Sequence, residues 1–179
     1  IGVNDDRTTI QVYEETSGLR PGEPVTGTGA PISVTLGPGI LSNIYDGIER
    51  PLKDIAAQSG AFIARGSDVP ALDQNRRFDV TVCVKPGDML SGGAVYAACQ
   101  ETPVILHKCM VPPNLSGTVT ESSPSGSYTV NDPIIKLKTA DGTEHTLTLC
   151  QKWPIRTARP AKLRKPISLP LITGQRVID

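Results

Sequence analysis

The four cysteines and two histidines are the side chains of this chain best suited to metal binding or nucleophilic chemistry, but their spacing suits neither. No two cysteines form the Cys-x-x-Cys pair that structural zinc sites use. Neither histidine has a second histidine, or a cysteine together with a carboxylate, at ligand spacing. We therefore predict no metal ligand and no catalytic residue among them. The residues concerned are Cys83, Cys99, Cys109, Cys150, His107 and His145.

The number of cysteines would allow two disulfides. Each cysteine, however, lies in an apolar run typical of a strand, and free cysteines are among the most frequently buried residues. We therefore expect buried free thiols, which fits a reducing compartment.

Two glycine pairs, Gly27-x-Gly29 and Gly37-x-Gly39, raise the question of a phosphate-binding loop. A dinucleotide fingerprint requires a third glycine, Gly-x-Gly-x-x-Gly. Ser42 stands where one run needs it, and the other run continues with Ala30, so neither run is complete. The chain also contains no Gly-x-x-x-x-Gly-Lys-Ser/Thr sequence. We interpret both pairs as turns and predict no cofactor-binding residue.

Lys108 is the one residue for which a covalent cofactor needs consideration. The segments 84–93 and 111–119 resemble the half-motifs of biotinyl and lipoyl carrier domains, which are flattened barrels of two similar halves. A carrier lysine has to stand at an exposed hairpin tip, whereas Lys108 lies within an apolar run shortly before Pro112. We therefore favour a barrel of this kind without the cofactor, and keep a stand-alone binding or carrier module as the alternative.

The composition favours a protein of many short strands. The 179 residues include 17 glycines and 16 prolines but only seven aromatic residues: one Trp, four Tyr and two Phe. Proline and glycine at this density, within alternating apolar and polar runs, are typical of strands joined by tight turns. Lysine plus arginine equals aspartate plus glutamate at 18 each, which gives no electrostatic reason to expect nucleic acid as a partner.

Local patterns predict the order of the elements. Residues 8–13 and 32–36 are expected to be strands, and a second β unit should run from 77 to 149, with a hairpin at Asp141-Gly142. Isoleucines and leucines spaced about four apart over 39–60 predict a helix, which Pro51 should restrict to about Leu52–Ser59. Residues 152–170 contain four prolines and should form an extended strap.

Several segments together resemble one family. The run Gly37-Pro-Gly-Ile-Leu-Ser-Asn-Ile-Tyr-Asp-Gly-Ile-Glu-Arg-Pro-Leu52 is the most specific of them. The others are Ser17–Val25, Arg65–Asp73, Val111–Val119, Trp153–Pro160 and Thr173–Asp179. The chain resembles the N-terminal and bulge regions of the catalytic A (alpha) subunit of archaeal and vacuolar-type (A/V-type) ATPases. An inserted "non-homologous" bulge distinguishes that subunit from its F-type homologues.

The resemblance implies a mainly β fold: part of an N-terminal β-barrel, plus a flattened barrel-sandwich bulge domain, one short helix and extended linkers. The implied domains are 1–36 (partial barrel), 37–65 (linker with the helix), 66–152 (bulge) and 153–179 (strap leading to a nucleotide-binding domain). ATP and Mg²⁺ would bind in the full subunit, so we expect this chain to be its non-catalytic front part. No catalytic, cofactor-binding or metal-binding residue can be carried onto it.

The implied partners are the other subunits of a hexameric rotary head and the peripheral-stalk subunits, with no nucleic acid and no direct membrane insertion. The assembled enzyme would make or hydrolyse ATP while moving protons or sodium ions. This places the chain on the cytoplasmic side of a membrane, as a peripheral part of a membrane-bound complex.

Overall fold

The computed structural model describes residues 2–41, 43–64, 66–67, 69–160, 163, 165–170, 172 and 174. Within these residues the chain is mainly β with one short helix, which confirms the predicted fold class. The helix is α1 (Leu52–Ser59). The strands are β1 (Gly2–Asn4), β2 (Arg7–Thr9), β3 (Ser33–Leu36), β4 (Phe78–Val82), β5 (Met89–Leu90), β6 (Val95–Thr102), β7 (Ile105–Met110), β8 (Gly117–Ser122), β9 (Gly126–Tyr128), β10 (Ile135–Lys138), β11 (Glu144–Leu147) and β12 (Gln151–Pro154).

Two four-stranded antiparallel sheets enclose the core of the second β unit. Their strand orders are β11-β10-β8-β5 and β7-β6-β4-β9. Apolar side chains alternate with polar ones along the strands, so that Phe78 and Val80 are buried while Asp79 is exposed. Leu137 and Val119 of the other sheet belong to the same core cluster. Each fully buried aliphatic side chain of this kind contributes about 1.5–3 kcal/mol, so the two sheets stabilise each other as a sandwich.

The two predicted half-motifs lie side by side. The turn after Val84 exchanges backbone hydrogen bonds with β8: the Gly87 amide donates to the Val119 carbonyl, and the Val119 amide donates to the Asp88 carbonyl, both at 2.8 Å. Close backbone approach here requires glycine at position 92, because a Cβ there would lie 2.2 Å from the Pro113 carbonyl oxygen. The segments 84–93 and 111–119 are therefore joined by backbone hydrogen bonds and close packing.

Helix α1 begins after Pro51 and ends at Gly60, as predicted. Gly60 adopts φ +76° and donates its amide to the Ala56 carbonyl at 2.9 Å. The apolar spacing before Pro51 does not form a helix, because a Tyr45–Pro51 bridge closes that stretch into a turn. Only Ile55 of the helix is buried, so α1 packs against its neighbours mainly through this one side chain.

The hairpin at Asp141-Gly142 is also as predicted. It joins β10 to β11, with Gly142 at φ +88° and the Thr139 amide donating to the Thr143 carbonyl at 2.9 Å. Glycine accepts this left-handed conformation without the steric cost that a Cβ would bring.

The first residues of the predicted strap form a strand instead of an extended segment. β12 pairs antiparallel with β3, with Gln151 opposite Leu36 and Pro154 opposite Ser33. Proline at the end of a strand costs no internal ladder hydrogen bond. β3 and β12 thus form a two-stranded ribbon that carries the chain into and out of the sandwich.

Residues 2–32 form little regular structure and are all exposed. The strand predicted over 8–13 is shorter than expected, because only Arg7–Thr9 pairs, with β1. Some predicted features lie outside the described residues: Ser42, Arg65, Asp68, parts of the strap (161, 162, 164 and 171), and all of Thr173–Asp179 except Gly174.

Candidate functional site

The connecting loop, residues 37–51, leads from the ribbon into the sandwich and contains most of the family-specific run. Its first three residues, Gly37, Pro38 and Gly39, are buried. A Cβ at Gly37 would lie 2.8 Å from Cys150 Cβ and 2.9 Å from Leu72 Cδ1. Real Cβ atoms do not approach that closely, so only glycine fits between these neighbours. The loop therefore starts in tight contact with the residue that precedes β12.

Glu101 of β6 binds the next turn of the loop through its carboxylate. Oε1 accepts hydrogen bonds from the Gly39 amide at 2.7 Å and from the Leu41 amide at 3.1 Å. The Glu101 side chain is only 4% exposed, and its bond to Gly39 is partly buried, whereas its bond to Leu41 lies at the surface. Hydrogen bonds to a charged acceptor are stronger than neutral ones. Glu101 thus joins the loop to the sandwich.

His107 of β7 stands on the other side of the same carboxylate. Its Nδ1 lies 3.6 Å from Glu101 Oε2. Burial lowers the pKa of His107 below the ordinary value, although the Glu101 carboxylate opposes this by favouring the imidazolium. The neutral ring is therefore the favoured form near neutral pH. Cys99 lies opposite His107 in the β6–β7 ladder, but burial raises the pKa of its thiol to about 11, which disfavours the nucleophilic thiolate.

A second carboxylate, that of Glu49, attaches the far end of the loop to β3. Its Oε2 accepts the Thr35 amide at 2.6 Å, and Glu49 itself adopts φ +66°, a conformation that is costly for a residue with a Cβ. Burial raises the pKa of Glu49, and the hydrogen bond from Thr35 opposes that shift. The hydrogen bond from Thr35 to the Glu49 carboxylate therefore links the ribbon to a residue whose backbone conformation is strained.

Side-chain hydrogen bonds close the middle of the loop. Asp46 Oδ1 accepts the amides of Ile48 and Arg50 at 3.0 and 2.8 Å, and its Oδ2 lies 2.6 Å from Arg50 Nε. Burial would raise the pKa of Asp46, but the backbone and side-chain hydrogen bonds from Arg50 outweigh it and lower the pKa. Tyr45 donates to the Ala71 carbonyl at 2.9 Å. In the described part of the chain no buried polar side-chain atom lacks a partner.

Lys108 does not lie at a hairpin tip, where a carrier lysine has to stand. It is exposed in the middle of β7, opposite Ala98, and not at the tip that joins β6 to β7. A modified arm there would start from the face of an edge strand. His145 lies on β11, on the other sheet from His107, so the two histidines do not share a site. Among the described residues no three metal-ligating side chains cluster.

The four cysteine thiols differ in solvent exposure, whereas the sequence predicted that all of them are buried. None of the four cysteines is paired. Cys99 and Cys109 are buried as predicted, and burial raises their pKa values to about 11 and about 12. The prediction is wrong for Cys83. Its amide still donates to the Tyr96 carbonyl at 2.8 Å, but the alternation of the strand turns its side chain outward, between the inward-facing Val82 and Val84. Cys150 is half-buried.

The interpretation as a turn is confirmed for Gly37 and Gly39, where Gly39 adopts φ +100°. The other pair lies in an irregular segment that bends at Gly29, which adopts φ +69°. A surface cavity of about 680 Å³ lies on the outer face of the β5–β8–β10 sheet. Its lining combines the apolar side chains of Met89 and Leu90 with serine and threonine hydroxyls and one charged side chain, that of Lys138.

Sequence reasoning missed Glu101. It lies between the polar residues Gln100 and Thr102 at the end of β6, so no local signal marked it, and its partner Gly39 lies 62 residues away along the chain. The candidate site is therefore a structural joint, formed by the connecting loop, Glu101 and the ribbon, and its chemistry is hydrogen bonding to backbone amides.

The comparisons with known proteins agree with this architecture. The model of the ATP synthase alpha/beta subunit barrel-sandwich domain matches residues 69–156, and that of the ATP synthase alpha/beta family beta-barrel domain matches residues 1–29. The chain belongs to the ATP synthase alpha/beta family. No helix in the described residues is long and apolar enough to cross a bilayer.

Within this family the similarity is to the A/V-type subunits. The chain is 52% identical to the V-type ATP synthase alpha chain of Halothermothrix orenii. It is 50% and 49% identical to the A-type ATP synthase subunits A of Methanopyrus kandleri and Pyrococcus horikoshii. Each match covers 100% of this chain, but 30%, 30% and 19% of the respective relatives. The resemblance inferred from the run 37–52 is thereby confirmed.

Proposed function

We propose that this chain is the N-terminal and bulge portion of the A subunit of a rotary A/V-type ATPase. That enzyme would couple ATP synthesis or hydrolysis to the movement of protons or sodium ions. The observation that carries the proposal is identity of 49–52% along all 179 residues to alpha and A subunits. The chain would act in the head of the complex, on the cytoplasmic side of a membrane.

The portion itself would be non-catalytic. Phosphoryl transfer requires a backbone cradle for the phosphates, a lysine and a metal site, and the sequence contains no Gly-x-x-x-x-Gly-Lys-Ser/Thr. ATP and Mg²⁺ would bind elsewhere in the full subunit. Isothermal titration of the 179-residue chain with MgATP should give no binding heat, and saturable binding would overturn this part of the proposal.

The segments would divide the work. Residues 1–36 would contribute to a barrel that joins neighbouring head subunits, which fits the exposed apolar side chains of Val3 and Val25. Residues 66–152 would form an outward bulge that contacts the peripheral stalk, with 37–65 as the linker and 153–179 leading to the nucleotide-binding domain. A stalk resists torque, and a sandwich with its own core supplies a stiff surface for it.

The stalk contact can be tested in the assembled enzyme. Removing 66–152 would also remove part of β12, so we would excise 78–149 and close the gap with a glycine-serine linker. We expect loss of stalk subunits on purification and loss of ATP-driven ion pumping, while the head still hydrolyses ATP. A variant carrying only Glu121→Gln, at an exposed ion pair with Lys136, is the control. Intact stalk attachment and pumping after the excision would refute the stalk role.

A further inference from the structure

Glu101 occupies a mechanical position that the family similarity does not assign. The chain enters and leaves the sandwich through the β3–β12 ribbon, which has only two strands. A two-stranded ribbon twists easily and is marginally stable alone. The ribbon by itself would therefore let the sandwich turn relative to the segments that flank it.

The carboxylate of Glu101 attaches the sandwich to the loop just beyond the ribbon. Its Oε1 holds the amides of Gly39 and Leu41, which follow shortly after β3, while Glu101 itself lies near the end of β6, an interior strand of its sheet. Gly37 packs against the sandwich in the same joint. Each contact beyond the ribbon resists a rotation that the ribbon alone would allow.

We propose that Glu101 is the latch that fixes the orientation of the sandwich on the connecting loop. It is a positioning residue: it acts on the backbone of residues 39–41, not on a substrate. The 4% exposure of its side chain limits the access of water to the carboxylate, most of all at the part-buried bond to the Gly39 amide. One consequence rests on the proposed function. If the sandwich contacts the peripheral stalk, a sandwich held in a fixed orientation by Glu101 would transmit torque between the stalk and the head without rotating itself.

Hydrogen exchange in the 179-residue chain tests the latch without reference to the rotary enzyme. Removing a charged acceptor commonly weakens an amide's protection by about 10- to 100-fold. In Glu101→Ala we expect exchange at Gly39 and Leu41 to accelerate by that factor, and core amides such as Val80 to keep their wild-type rates. Glu101→Gln, which retains a neutral acceptor, should fall between. Glu121→Gln, a carboxylate exchange at an exposed ion pair, should match the wild type.

Two results would overturn the latch. Unchanged exchange at Gly39 and Leu41 in Glu101→Ala would show that the carboxylate does not hold the loop. Equal acceleration of Val80 would show that Glu101 merely stabilises the whole sandwich.

The assembled enzyme then tests the consequence separately. With Glu101→Ala we expect ATP hydrolysis at the wild-type rate but fewer ions moved per ATP, and with Glu101→Gln a smaller loss. A full ion-to-ATP ratio despite a loosened loop would refute the role in coupling while leaving the latch itself supported. Failure of the stalk experiment above, by contrast, would remove the proposed stalk role and leave the exchange result standing.

Discussion

Replacing Gly37 with alanine should destabilise the joint between the connecting loop and the sandwich. The added Cβ would lie 2.8 Å from Cys150 Cβ, 2.9 Å from Leu72 Cδ1 and 3.2 Å from Cys150 Cα. Carbon atoms pack best at about 3.5–4.0 Å, so at least one neighbour has to move by most of an ångström. Leu72 is 1% exposed, and Cys150 directly precedes β12, so neither moves freely.

The expected cost follows from that crowding. Overpacking a filled interior by one methyl group costs about 1–3 kcal/mol. For a chain of this size each kcal/mol lowers the melting temperature by about 2–4 °C. Gly37→Ala should therefore melt about 2–12 °C below the wild type and show a lower urea midpoint with an unchanged slope.

Gly27→Ala is the matched control, because a Cβ there meets nothing within 4 Å. Its melting temperature should stay the same or rise slightly, since alanine reduces the entropy of the unfolded chain. Adding Cys150→Gly to Gly37→Ala removes the nearest clashing atom and should recover part of the loss. Equal stability of Gly37→Ala and the wild type, by circular dichroism, would refute the close contact.

Three further predictions concern thiols, pH and the ribbon. With a disulfide reagent at pH 8, Cys83 should react fast and Cys109 only on unfolding, because burial both shields that thiol and raises its pKa to about 12. Burial lowers the pKa of His107, so the unfolded state takes up its proton first. The free energy of unfolding should therefore be full above about pH 6.5 and fall as the pH drops below it. Trp153→Phe removes the 2.7 Å hydrogen bond from Nε1 to the Thr157 carbonyl and should cost about 1 kcal/mol in urea unfolding.

Each of these has its own control. Cys83→Ser should abolish the fast thiol phase, and a fast phase that persists would contradict the exposure of Cys83. His107→Gln should flatten the fall in stability below pH 6.5, and an unchanged slope would assign it to another group. Ile155→Val, at an exposed residue next to the ribbon, should leave urea stability unchanged, so an equal loss in both ribbon variants would show that Trp153 has no special role there.

Local signals in the sequence were enough to predict helix α1 and the hairpin between β10 and β11. Pro51 and Gly60 bound α1 because proline excludes a preceding helical turn and glycine accepts the left-handed end. Asp141-Gly142 marks its hairpin for the same conformational reason. In each case the residues that decide the structure are neighbours along the chain.

The joint could not be predicted in this way, because its contacts are distant in sequence. Glu101 and Gly39 come together only in the folded chain. No periodicity in the sequence indicates that a carboxylate accepts hydrogen bonds from the backbone of a distant segment. β12 was missed because the prolines around Trp153 suggested an extended strap. Its pairing depends on β3, which lies more than a hundred residues earlier. Tertiary context outweighed local propensity at both places.

The ribbon brings the two ends of the inserted segment together, so the sandwich can be replaced as a unit. Leu36 and Gln151 are paired neighbours, so the two ends of the insert leave the rest of the protein at adjacent points. A domain joined in this manner can be gained, lost or replaced in evolution without displacing what flanks it. The same geometry suits protein engineering: any compact domain whose termini are a strand spacing apart, about 5 Å, can be grafted between these two residues.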